Sequence, residues 1–108
     1  MTFVIKGKSA HAGVSPEKGI SAITMAAKAI SKMPLGRIDA DTTANIGTFE
    51  GKGPTNIVCD QVSVVAEARS LDQSKLEKQI QAMESAVLEV TEKMGGTAEI
   101  DIKQMYHA

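Results

Sequence analysis

At 108 residues the chain has room for one domain with one core and none for a second. Hydrophobic residues at 43% and charged residues at 23% are the proportions of a globular domain. A formal net charge of −1, with Phe3, Phe49 and Tyr106 the only aromatics, excludes the basic field and stacking surface that nucleic-acid binding requires, and gives no pull toward an anionic membrane. The single Cys59 excludes an internal disulfide and fits a reducing, cytoplasmic setting. No apolar run nears the ~18 residues of a membrane span, and the N-terminus does not read as a signal peptide.

Thr2 to Lys8, carrying Phe3-Val4-Ile5, reads as a first strand. Residues 7–19 hold three glycines and a proline, which is loop punctuation. Ile20 to Met33 then reads as an amphipathic helix begun at Pro16 or Gly19, with Ile20, Ile23, Ala27 and Ile30 recurring on one face. Ala22, Ala26, Ala27 and Ala29 permit close approach to a sheet or another helix. Leu35 to Asp41 is a polar connection, and Thr42 to Glu50 is a second strand. Gly51-Lys52-Gly53-Pro54 marks a turn. Asn56 to Cys59 resumes an extended run, and Gln61 to Arg69 is a third strand with Val62, Val64, Ala66 and Ala68 on one face.

Ser70 or Asp72 caps a second helix, whose stripe of Leu76, Ile80, Met83, Val87, Val90 and Met94 is unbroken until Gly95-Gly96 stops it. Thr97 to Lys103 alternates as a fourth strand. Met25, Met33, Met83, Met94 and Met105 are expected to pack, and His107, next to the end, to be mobile. The order predicts an α+β domain of ferredoxin-like βαββαβ plan, with a four-stranded antiparallel sheet and two helices on one face. Strand-like runs at both termini are what a single domain, 1–108, excised from a longer chain would show. The uncovered sheet face, carrying Val65, Glu67 and Arg69, calls for a partner chain or an adjoining domain.

Chemistry narrows to three side chains. His11 is the group in the first loop suited to proton or hydrogen-bond work near neutral pH, or else an ordinary loop histidine. Asn56 follows the Gly-rich turn and is either a directed amide or a turn residue. Arg69 ends the third strand, where its fork can hold a carboxylate or pair with Glu67 or Asp72. His11, Cys59 and His107 lack ligand spacing, so no metal site is expected within the chain. Nucleophile-elbow and phosphate-loop patterns are absent from the sequence. An imidazole, an amide and a guanidinium suit an oxyanion and a carboxylate, and complete a site centred elsewhere.

Gly7-Lys8-Ser9-Ala10-His11-Ala12-Gly13, with Pro16-Glu17 and Gly19-Ile20-Ser21-Ala22-Ile23 after it, resembles the lid domain of the dizinc exopeptidases. That family includes aminoacylase, carboxypeptidase G, succinyl-diaminopimelate desuccinylase and peptidase T. Gly51-x-Gly-Pro-Thr-Asn56-Ile-Val-Cys-Asp60, then Glu67-Ala-Arg69 and Asp72, extends the match over essentially the whole chain. Cys59 stands where the family commonly has proline, and Ala-His-Ala-Gly with Pro-Glu downstream is most similar to the peptidase T-like, or tripeptidase, branch. The resemblance implies a dimerisation and substrate-capping domain of a zinc-dependent exopeptidase acting on short peptides. By it, His11 reaches across a homodimer to stabilise the oxyanion, Asn56 binds substrate beside it, and Arg69 grips the substrate carboxylate. It places two Zn (or Co or Mn) ions on a separate catalytic domain, so the fragment alone is not expected to hydrolyse anything. The rival from another class is a ferredoxin-like regulatory module that binds a small molecule. An RNA-binding sheet, an acylphosphatase-like enzyme and a metal carrier each lack a required residue: strand aromatics, a first-loop arginine and a Cys-x-x-Cys respectively.

Overall fold

The computed structural model describes residues 1–103, so Met105 and His107 lie outside the described residues. In chain order the elements are β1 (Thr2–Lys6), a 3-10 turn (Pro16–Lys18), α1 (Ala22–Lys32), β2 (Gly36–Arg37), β3 (Thr42–Glu50), β4 (Gln61–Ser70), α2 (Gln73–Met94) and β5 (Thr97–Asp101). All strand pairs are antiparallel, in the order β2-β3-β4-β1-β5. Phe3 and Ile5 of β1, Ala44 of β3, and Val62, Val64 and Ala66 of β4 join Met25, Met83 and Val87 from the helices in one buried core. Each large apolar side chain so buried contributes ~1.5–3 kcal/mol.

The sheet has five strands where four were expected. β2 is two residues long, too short to show a period, and lies in the segment that reads as a polar connection. Gly36, at φ 79°, turns the chain so that Gly36 and Arg37 pair with Ala44 and Thr43. The short β2 covers the start of β3 only; among the described residues Asn45 to Glu50, Gly47 excepted, pair with β4 alone.

The first helix also differs from expectation. Ile20 forms a bridge with Lys8, which holds it out of the helix, and Pro16–Lys18 is a separate turn. Ser21 is the N-cap, its hydroxyl accepting from Thr24 N at 3.1 Å. The buried face is Ala22, Met25, Ala26 and Ala29, while Ile23 and Ala27 are exposed and Ile30 half-buried. Small side chains let α1 lie close against the sheet and α2. Ile23 sits over Gly51, where a Cβ would come within 2.9 Å of its Cγ1.

The α2 stripe packs as its spacing predicts, with Met94 half-buried at its end. Gln79, buried on α2, donates to Pro34 O at 2.7 Å and ties α2 to the segment just after α1. Gly95, in the left-handed region at φ 84°, closes the helix. Among the described residues no helix is long and apolar enough to cross a membrane.

A polar clasp joins the β2–β3 turn to the start of α2. Asp72 caps the helix, accepting from Ser74 N at 2.9 Å and Lys75 N at 3.2 Å. Lys75 Nζ sits 2.9 Å from Asp41 and 3.7 Å from Asp39. The Ser74 hydroxyl and the Lys75 amide hold the Asp72 carboxyl below its ordinary value, and the Asp41 amide does the same for Asp39. Both carboxylates therefore stabilise the fold above the ordinary aspartate range, and that stabilisation is lost as pH falls through their lowered values. Lys75 is raised, chiefly by Asp41, so its share is present below the ordinary lysine value and lost only in strong alkali. Thermal melts should show Tm falling through the acid range, and Asp39→Asn with Asp72→Asn should flatten that slope. An unchanged acid slope in the double variant would refute this assignment.

Candidate functional site

The site is built where the β1–β4 ribbon runs past the end of the sheet. Beyond the last rung, Lys6 with Gln61, the two segments stay side by side. Gly7 N donates to Asp60 O at 2.8 Å, Val58 N to Ala10 O at 2.9 Å, and Ala12 N to Asn56 O at 2.8 Å. His11 bridges to Ile57 across the same ladder. Because β1 and β4 are antiparallel neighbours, the loop leaving one and the segment entering the other meet at one end. Two residues distant in sequence, His11 and Asn56, are thereby brought together.

The loop is closed at its base and braced within. Lys8 and Ile20 exchange two backbone hydrogen bonds, at 2.9 and 2.8 Å, forming the neck. A Cβ at Gly7 would collide with the Ile20 carbonyl oxygen, so only glycine lets the neck close there. At the tip Ser15 N donates to His11 O at 2.9 Å. Gly13 N and Val14 N each donate to His11 Nδ1 at 3.1 Å. A nitrogen that accepts cannot carry the proton, so the ring proton lies on Nε2. The exposed imidazole thus presents an N–H donor outward from a fixed ring. The residues after His11 read as loop from sequence; the only trace of this cradle was a glycine two positions on.

Arg69 lies elsewhere. It is on the uncovered face near the far end of β4, opposite Thr43, with its Nε 2.9 Å from Glu67 Oε2. Its side chain is 77% exposed, and a pair so open to solvent holds loosely. The eight steps of strand from Gln61 to Arg69 span about 26 Å, so the guanidinium and the imidazole of one chain are far apart. Cys59 is half-buried, its Sγ 3.3 Å from Gln61 O, with its own carbonyl accepting from Ala22 N. Among the described residues no three His, Cys, Asp or Glu side chains gather to hold a metal ion.

What this arrangement can do is present one hydrogen-bond donor at a tip and one guanidinium on an open face. Comparison with known proteins supplies the context. The peptidase dimerisation domain family of the M20 peptidases matches residues 1–95. The Bacillus subtilis (strain 168) protein YqjE, itself uncharacterised, is 66% identical over 102 residues, covering 94% of this chain and 28% of its own. The aminopeptidase PepT from Bacillus cereus ATCC 10987 is 61% identical with a TM-score of 0.90, over 91% of this chain and 26% of that one. A tripeptidase from Staphylococcus aureus subsp. aureus Mu50 is 48% identical with a TM-score of 0.88, again over 91% of this chain and 26% of that one. This chain thus spans about a quarter of the length of these relatives. A match over most of its residues, on the fold described above, makes the chain a member of the M20 peptidase dimerisation domains, of the peptidase T-like kind.

Proposed function

We propose that this domain dimerises and caps the active site of a tripeptidase-like exopeptidase whose catalytic portion lies elsewhere in the parent protein. The observation that carries the reading is the double acceptor at His11 Nδ1, which leaves Nε2–H as a fixed, exposed donor. A donor held before substrate arrives is what the developing oxyanion of a cleaved peptide carbonyl requires. Asn56, across the ladder from the His11 loop, supplies a second polar group beside it. Arg69 receives the peptide's terminal carboxylate, exchanging Glu67 for it.

Distances support a capping shared between two chains. An extended tripeptide spans about 10 Å, while β4 alone separates Arg69 from the His11 end by about 26 Å. One short peptide therefore meets His11 of one protomer and Arg69 of the other. Among the described residues the edge of β3 from Asn45 to Glu50 has no strand on its outer side and is open to a second copy, and an edge of that kind is a natural seam for a two-fold dimer. Peptidases of this family are metal-dependent. The described residues offer no ligand set, so we assign the metal, zinc by the resemblance, to the catalytic portion and route no step of this domain through it.

The test is recognition of the peptide's end. Arg69→Ala in the full-length enzyme should weaken use of a free-acid tripeptide by about 10–100-fold, the worth of a charge-assisted hydrogen bond. The same tripeptide as its C-terminal amide should be used equally by both enzymes. Equal loss on acid and amide, or no loss on either, would remove Arg69 from the site.

A further inference from the structure

Gly19 stands where the neck, the His11 segment and the Asn56 segment converge. Its backbone is extended, at φ −102° and ψ 167°, a conformation open to any residue. Conformation therefore does not demand glycine here; space does. A Cβ at this position would lie 3.0 Å from Ala10 Cβ, 3.0 Å from Lys8 O and 3.2 Å from Val58 Cβ. Ala10 directly precedes His11, Val58 N is hydrogen-bonded to Ala10 O, and Lys8 is half of the neck. The missing side chain is what lets all three segments touch.

We propose that Gly19 is a positioning residue for His11: its bare backbone sets the height of the imidazole above the Asn56 segment. This rests on the oxyanion role proposed for His11. Gly7 does a different job, since a side chain there strikes the Ile20 carbonyl and prevents closure of the neck altogether. At Gly19 a methyl asks its neighbours for a few tenths of an ångström, enough to tilt the loop without opening it. Gly19 has no side chain to offer a substrate, so its effect passes through the histidine.

The experiment uses the full-length enzyme and compares Gly19→Ala, His11→Ala, their combination, and Gly19→Ala with Ala10→Gly, which removes one of the opposing carbons. Gly19→Ala should lower kcat on a tripeptide about tenfold with KM within about twofold, because small misplacements of a reacting group are costly. In the His11→Ala background it should cost nothing further, and Ala10→Gly should restore most of the lost kcat. Wild-type kcat in a folded Gly19→Ala enzyme, or a further tenfold loss on top of His11→Ala, overturns the proposal. Should Gly19→Ala alone fail to fold, or should its pair with Ala10→Gly lose a further tenfold in the His11→Ala background, the role is structural and the proposal falls. His11→Ala at wild-type turnover would instead remove the oxyanion reading, and the positioning role with it. A normal Gly19→Ala beside an impaired His11→Ala removes the positioning role alone.

Discussion

Alanine at His11 in the full-length enzyme should lower turnover on tripeptides by ~10²–10³, with KM and thermal stability nearly unmoved. The size follows from the loss of one preorganised donor to an oxyanion, on the order of 3–4 kcal/mol. The selectivity for kcat follows because the negative charge appears only as the carbonyl is attacked. Stability is spared because the imidazole is exposed and its ring bonds are confined to Gly13 and Val14, away from the core. The Lys8–Ile20 neck and the ladder to Asn56 and Val58 are backbone bonds and survive the substitution. A signature precedes the kinetics: long-range proton–nitrogen correlation should show Nε2 protonated and Nδ1 bare in the unliganded protein. Turnover within twofold of wild type would reject the role, and a proton on Nδ1 would reject the geometry behind it.

Two crippled enzymes should rescue each other. His11→Ala and Arg69→Ala protomers, mixed so that dimers re-form, place both lesions in one active site of each heterodimer and leave the other site whole. With random assortment half the dimers are mixed, so about a quarter of all sites regain wild-type activity, from parents lowered by ~10²–10³ and by about 10–100-fold. If both residues served the same protomer's site, every site would carry one lesion and mixing would restore nothing. The prediction follows from length alone: about 26 Å of strand lies between the two residues, against about 10 Å of tripeptide.

Where the sequence was readable, one physical signal dominated its neighbours. Leu76 to Val90 in α2 are large, apolar and evenly spaced, and no other face competes, so the packing side could be read directly. The first helix offered two apolar faces. Its isoleucines outweigh its alanines on any hydrophobicity count, yet close approach to the sheet selected Ala22, Ala26 and Ala29, leaving Ile23 to cover Gly51. The two residues of β2 hold no period at all, and only the turn through Asp39 and Asp41 brings them against β3.

The site divides in the same way. That His11, Asn56 and Arg69 were worth naming came from loop punctuation, chemistry and resemblance. That the first two are neighbours came from the pairing of β1 with β4, and that Arg69 stands apart came from the length of that same strand. The bonds that fix the ring nitrogen depend on how four residues turn, which no spacing rule encodes.

The register of β3 against β4 slips between Ile46 and Thr48, leaving Gly47 without an opposite number. That slip lies midway along the stretch from Asn45 to Glu50 that β2 leaves bare. A straight strand of foreign sequence cannot lie along such a kinked margin without losing hydrogen bonds at the kink. A second copy, turned end for end about an axis through Gly47, would bring the same irregularity to the same place. In the dimer proposed above, this margin would be matched by its own likeness: the feature that repels indiscriminate stacking would be the one that admits a twin.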